Sequence, residues 1–338
     1  MFKTFCKGLA LRVLEKNNSN AVRLMVRSLS IMISVIIPSY NSENTIEKCL
    51  NSLQNQSCGD DYEIILVDSS IDGTPQIVSS QYPNVKFIHL DEKTDPGTAR
   101  NIGIGKARGD LIAFIDSDCI ATRDWLEKIE SAQKSSYSIV GGVVHNGNDE
   151  DDMVAWAGYI SEFREFLPMQ TEHEVNHIPT CNISYKKKVF STFGMFQGQY
   201  YPQEDLVFNY NLIQNGERIL LDPSIQVYHH HRSGLKDFLN HQNKIGAITS
   251  KVLKVIRIEG AFIARHKIVA VFLIPFLPII KFMRTVSAFL RYQPEAILKR
   301  PMVLMMFALG LVYWIFGFTR GIYEKNYYKE NDQRRLYE

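Results

Sequence analysis

Between Ile33 and Ile129 short apolar runs alternate with stretches of helical spacing, and that alternation limits the possible folds more than any other feature of the chain. ISVIIPSYN, from Ile33, is a β-branched run closed by Pro38, the pattern of a strand buried on both faces. Behind it Ser42 reads as an N-cap, and Ile46, Leu50 and Leu53 fall on one helical face through residue 54. The unit recurs as EIILVD (63–68) with a helix to about Tyr82, VKFIHL (85–90) with a helix from Thr98 to Ala107, and LIAFID (111–116) with a helix through Trp125 and Ile129. Such an order predicts an α/β domain with a mostly parallel central sheet and helices on both faces, whose ligands gather at the carboxyl ends of the strands. After Ile139–Val144 the alternation weakens, 147–152 reads as an acidic surface loop, and mixed helix and strand resume over 153–231.

Composition adds something only through its distribution. The chain has 338 residues, enough with 45% apolar content for a substantial core, and its formal charge is +2. That total hides +5 over residues 1–30, −14 over 31–231 and +11 over 232–338. The basic C-terminal part also holds the longest apolar runs, 268–280 and 302–318, the latter seventeen residues without a charge. A basic, apolar region of this kind suits a membrane with anionic lipid and argues against nucleic acid. Transmembrane or re-entrant segments are expected near 262–290 and 301–319, within a helical membrane-associated region 233–338. Residues 1–31 read as a basic amphipathic segment or a leader without regular structure, and they lack the apolar stretch and cleavage site of a secretory signal. Five cysteines without CxxC spacing suggest neither a disulfide framework nor a zinc knuckle, and they fit a reducing cytosol.

Asp116, Ser117 and Asp118 directly follow the apolar run LIAFI, which puts two carboxylates at the carboxyl end of a central strand. They suit a hard divalent cation holding a diphosphate, although acidic pairs also form ordinary turns, and it is position that favours the cation. Asp68 likewise ends a strand. In the intervening PGTARNIGIGKARGD the glycines are spaced GxGxxxG and precede the strand they would have to follow, which excludes a dinucleotide fingerprint. Arg100, at a helix start, is placed to face phosphates, with Gly103 allowing close packing on the sheet. Glu204 and Asp205 open a helical stretch ended by Gly216, where carboxylates answer the helix dipole or deprotonate an acceptor hydroxyl. His229, His230 and His231 follow the strand-like IQVY, and one of them is a candidate metal ligand.

Taken in order, SVIIPSYN, EIILVDSSIDGT, GTARNIGIGKARGDLIAFIDSD, PTCNISYKKKVF, QEDLVFNYNLIQNG and VYHHH resemble the family 2 inverting glycosyltransferases of GT-A fold, over about Ile33 to Arg232. The resemblance implies a GT-A catalytic domain over 32–232, with a nucleotide-binding half (32–145) and an acceptor half (146–232). It implies that Pro38, Tyr40 and Glu43 line the nucleotide site, that Asp68 pairs with the base, and that Arg100 approaches the diphosphate. Asp116 would lie near the ribose or metal, Asp118 and His229 on a Mn²⁺ or Mg²⁺ ion, and Asp205 would be the general base with Glu204 beside it. The reaction implied is transfer of one sugar from a nucleotide-diphosphate sugar to a lipid-linked glycan or polyprenyl phosphate, by an enzyme on the cell membrane with its catalytic domain cytoplasmic. Ser69, Phe208 and Asn211 depart from residues frequent in the family, and no QxxRW motif occurs, which argues against a processive synthase. Two other readings stand beside this one: a catalytically silent protein that binds a sugar nucleotide, and a nucleotidyltransferase that releases pyrophosphate.

Overall fold

The computed structural model describes residues 31–58, 62–168 and 170–324. The expected amphipathic segment at 1–31 falls outside them, Ile31 excepted. The first half follows the alternation: β1 (Ile33–Ser39), α1 (Ile46–Gln54), β2 (Tyr62–Asp68), α2 (Thr74–Gln81), β3 (Lys86–His89), α3 (Pro96–Lys106) and β4 (Leu111–Phe114). All seven residues of β1 are buried, because it lies between β2 and β4 and is covered on both faces. The order β3–β2–β1–β4 is parallel throughout. Successive strands move outward from β1 to β3, and the chain then returns to the other side of β1 for β4. Their carboxyl ends therefore diverge and leave a crevice.

Local chemistry sets the helix starts. α1 buries Ile46, Cys49, Leu50 and Leu53, the i, i+3, i+4, i+7 stripe of a sheet-facing helix. Ser42 does not cap it with its side chain. Its carbonyl accepts from the Thr45 and Ile46 amides, while its hydroxyl lies 2.7 Å from that of Ser117. α3 starts at Asp95, whose carboxylate accepts the Thr98 amide at 2.9 Å, with Pro96 in the first turn. Gly103 is where α3 meets β1: a Cβ there would stand 2.5 Å from Ile36 Cγ2.

Beyond β4 come β5 (Cys119–Ala121), α4 (Trp125–Gln133), β6 (Ile139–Asn146), α5 (Met153–Glu162), β7 (His173–Val175), β8 (Ile183–Lys186), α6 (Lys188–Phe193), α7 (Glu204–Gln214) and β9 (Ile219–His229). Here the nine-stranded sheet becomes mixed. β8 inserts antiparallel between β4 and β6, β9 runs parallel to β6, and β5 and β7 pair antiparallel with β9. α7 ends at Asn215 and Gly216, the latter at φ +88, a left-handed conformation that glycine adopts without strain.

The remainder is helical: α8 (Leu235–Val255), α9 (Ala261–Arg265), α10 (Lys267–Leu273), α11 (Leu277–Tyr292), α12 (Glu295–Leu298) and α13 (Pro301–Tyr323). α10 and α11 are joined by a single tight turn at Ile274–Phe276, which contains Pro275. α13 packs along α8 and α5. The approach to α8 is so close that a Cβ at Gly246 would collide with the Trp314 carbonyl, and one at Gly317 with the Asn243 carbonyl. Lys267–Tyr292 and Pro301–Tyr323 are long enough and apolar enough, at mean hydropathy 1.9 and 2.0, to cross a membrane.

Candidate functional site

The carboxyl ends of β1 and β4 open into one crevice of about 2200 Å³. Pro38 and Tyr40 form its edge above β1, and Arg100, Asp116 and Asp118 its floor beside β4. Glu204, Asp205 and His229 come from the far wall. Eight of the ten residues named from the sequence thus share one surface.

Two do not. Asp68 is fully buried and turned away from the crevice lining. Its Oδ1 accepts from the Ser70 hydroxyl at 2.5 Å, while its Oδ2 accepts the Ser70 amide and lies 2.8 Å from His89 Nδ1. This carboxylate shapes the loop after β2, so of Asp68, Asp116, Asp118 and Asp205 only the last three line the crevice. Glu43 is exposed and also outside the lining. Its Oε2 accepts the Gly73 amide at 2.9 Å and its own amide donates to Asp72, which ties the loop after β1 to the start of α2.

Arg100 is only 3% exposed and makes two charged contacts. Nη2 donates to Asp116 Oδ1 at 2.6 Å, and Nη1 to Glu204 Oε1 at 2.8 Å. The guanidinium therefore joins the floor to α7, across 104 residues of sequence, instead of standing free for a phosphate. Burial opposes its charge, but Asp116 and Glu204 outweigh that and raise its pKa. Burial pushes the Glu204 carboxyl up to about 7 against the pull of Arg100, and its second oxygen is buried without a hydrogen-bond partner. Asp205 is held by amides: Oδ2 accepts from Thr180 at 3.1 Å, and Oδ1 from Leu206 at 2.7 Å in the first turn of α7.

Asp118 meets His229 because β5 pairs antiparallel with β9, which sets Cys119 opposite His229 and lets the Asp118 carbonyl accept the His230 amide at 2.9 Å. Asp118 Oδ1 lies 3.5 Å from His229 Nε2. With Cys119 these form a group whose donor atoms fall within 4.8 Å of one another. Asp116 is not one of the three, and Arg100 holds its Oδ1. Where β9 ends, His229 and His231 bring their ring centroids to 4.4 Å, both buried, while His230 between them is half-buried. Burial and then His229 lower the pKa of His231 well below the ordinary value, so it is neutral.

Several lining residues were not named from the sequence. Lys93 stacks on the Tyr40 ring at 4.0 Å and Lys244 on Tyr201 at 3.7 Å, bringing two cations to the rim. Thr180 orients Asp205, and Cys119, fully buried behind the lining, adjoins Asp118 and His229. Only Cys119 carried a sequence signal, its place directly after the acidic pair.

The Glycosyl transferase family 2 model matches residues 34–194. Among curated relatives, glycosyltransferase AglE of Haloferax volcanii is 32% identical over 173 residues, 48% of this chain and 55% of AglE. The dolichyl N-acetyl-alpha-D-glucosaminyl phosphate 3-beta-D-2,3-diacetamido-2,3-dideoxy-beta-D-glucuronosyltransferase of Methanococcus voltae is 25% identical over 249 residues, 66% of this chain and 74% of that protein. The chain spans about half or less of the length of the curated relatives it matches first, 55%, 35% and 44%. Among solved structures, the mannosyltransferase PcManGT from Pyrobaculum calidifontis, in complex with GDP-Man and Mn²⁺, superimposes with a TM-score of 0.58 at 16% identity and covers 89% of each chain. With a parallel half-sheet that opens on an acidic crevice and then turns mixed, the match assigns residues 34–194 to glycosyl transferase family 2, on a GT-A fold.

Proposed function

We propose that this protein transfers one sugar from a nucleotide-diphosphate sugar to a lipid-linked glycan or polyprenyl phosphate, with inversion, at the cytosolic face of a membrane. The observation that carries the reading is the convergence of Asp118, His229 and Asp205 on one crevice at the carboxyl edge of β1 and β4. Tyr40 and Pro38 form the donor edge. Asp118 and His229 are the residues that would hold a divalent cation: the carboxylate oxygen is a donor for Mn²⁺ or Mg²⁺, and the imidazole nitrogen beside it favours Mn²⁺ of the two. When bound, the cation offsets the charge that grows on the departing diphosphate.

Asp205 is the general base. With a glycan hydroxyl as acceptor, its oxygen bonds to the anomeric carbon as the bond from that carbon to phosphate breaks and its proton passes to the Asp205 carboxylate; an ionised polyprenyl phosphate oxygen attacks without a proton to transfer. The Thr180 and Leu206 amides fix that carboxylate, and a single displacement inverts the anomeric carbon. Arg100 is a positioning residue that locks Asp116 and Glu204 into the wall. The Methanococcus relative, whose name specifies a dolichyl sugar phosphate, supports a lipid acceptor, and the GDP-Man and Mn²⁺ of the Pyrobaculum structure support the donor class and the metal. The test is a donor panel with a lipid extract and Mn²⁺ or Mg²⁺, read by nucleoside diphosphate release and thermal stabilisation. Release of pyrophosphate, or of nothing from any donor, overturns the reading.

A further inference from the structure

We infer that the two long apolar helical stretches lie in the plane of one leaflet of an anionic membrane instead of crossing it, so that the outer face of α10, α11 and α13 is a lipid-docking surface. The inference rests on the membrane reading above and states how the membrane is met. Hydropathy alone points the other way, since both stretches are long enough to span.

The ends of the helices decide it. A spanning helix separates its two ends by the roughly 30 Å of hydrocarbon. Here both ends of α13 and the far end of the other stretch are bonded to α5, the loop before it or α8, and the near end of the other stretch is bonded to α13. At its start, α13 is fixed by Arg300, whose Nε donates to the Glu150 carbonyl at 2.6 Å and whose guanidinium stacks on Trp156 at 4.0 Å. At its finish, Lys254 Nζ donates to the Gly321 and Ile322 carbonyls, and Lys251 pairs with Glu324 at 2.9 Å. The other stretch begins at Lys267, whose carbonyl accepts from the Tyr323 hydroxyl, and is followed by Gln293, whose side-chain oxygen accepts from Tyr159 of α5 at 2.8 Å.

Between those anchors α13 runs beside α8, backbone against backbone at Gly246 and Gly317. α8 carries Lys236, Asp237, Lys244 and Lys251, and its Lys244 lines the catalytic crevice. Depth is therefore shared: α13 cannot enter the hydrocarbon core end-on without drawing those charges and the crevice in with it.

What remains is a broad apolar face. Apart from Ile71, Met195, Tyr228, Leu235 and Val255, every exposed large apolar side chain among the described residues lies between Phe262 and Tyr323. Phe272, Phe276, Met305 and Phe316 are each more than half exposed. The occupant is identified by charge. Residues 232–338 carry +11, and exposed Arg265, Lys267, Arg284, Arg291, Lys299 and Arg320 lie in and beside these helices, as anionic headgroups require. The crevice itself extends to Leu277, Ile280 and Trp314 of this layer, so an acceptor held in the leaflet has a continuous path to Asp205.

The test uses the full chain on phosphatidylcholine vesicles with or without phosphatidylglycerol. Spin labels are placed through Met302→Cys, Leu309→Cys or Phe316→Cys, three exposed positions seven residues apart along α13, and the signal of the labelled parent chain is subtracted. An in-plane helix gives the three labels one depth, and vesicle affinity falls about tenfold or more when phosphatidylglycerol is omitted. A profile with Leu309 deepest and the ends shallow overturns the inference. So does failure to bind any vesicle, or a face closed by a second copy and reported by spin–spin broadening in solution. Phe272→Ser with Phe316→Ser should weaken vesicle binding and leave nucleoside diphosphate release in detergent unchanged. That release also separates the two readings: equal depths without turnover keep the docking and remove the transferase, and a spanning profile with turnover does the reverse.

Discussion

Arg100, Asp116 and Glu204 place three charged groups in the crevice wall, two of them almost fully buried, whereas α13 turns Met305 and Phe316 outward to solvent. One region buries charge and the other exposes apolar surface, each against the ordinary preference of its residue types. The difference lies in how the misplaced groups are answered. In the wall each charge has a partner at 2.6 to 2.8 Å, so the arrangement is set by direction and distance and fails when one member is lost. On the outer face of α13 no single direction matters and area is what counts, so that face tolerates substitution until it meets a surface.

That contrast is most open to attack at Asp205. Asp205→Asn keeps the shape but removes the proposed proton acceptor, and initial rates of nucleoside diphosphate release should fall by about 10²- to 10⁴-fold with little change in Tm. Unchanged rates would move the base elsewhere. Arg100→Ala comes next, because it leaves Glu204 buried without its cation. Urea unfolding should show a loss of about 3–5 kcal/mol, and a loss below about 1 kcal/mol would show the wall to be as tolerant as the outer face. The two faces of α13 can then be set against each other. Gly317→Leu drives a side chain into the Asn243 carbonyl and should cost about 1–3 kcal/mol or more, while Phe316→Ser next to it should stay within about 0.5 kcal/mol in the absence of lipid.

The smallest effect is a change of slope. Glu204 keeps its proton in the folded chain up to about pH 7, while an unfolded glutamate loses it near the ordinary 4.5. Across that window the native state binds more protons, so wild-type stability falls as pH rises. Glu204→Gln cannot titrate, and Tm measured from pH 4.5 to 7 should be flatter for the variant. An equally steep decline in both would assign the slope to another group.

The strand ends around the crevice were legible because apolar runs stop abruptly: the residue types change at Pro38, the next-to-last residue of β1, and at Asp116, two residues past β4. Buried strands in a parallel stack leave that mark whatever their neighbours. The pairing of β8 between β4 and β6 left none, since strand order depends on contacts between distant segments. Asp68 shows the limit for side chains: it ends its strand like Asp116, but Ser70 and His89, two and twenty-one residues on, bind its oxygens and turn it from the crevice. Arg100 was placed at the crevice by its position at a helix start, yet its pairing with Glu204 is invisible until α3 and α7 are brought together. In the C-terminal part hydropathy disclosed the apolar stretches and said nothing of their anchored ends, because an apolar run reads alike in either orientation.

Gly246 and Gly317 have a mechanical meaning. Where two helices meet through side chains, a small push on one is absorbed by rotamer changes before it reaches the other. Here carbonyl and Cα stand in direct apposition, and nothing compressible lies between the outer helix and the one that carries Lys244 to the rim above Tyr201. A tilt imposed on α13 from outside is a tilt of the crevice wall, and the pair behaves as a single stiff lever with its short arm at the reaction chamber.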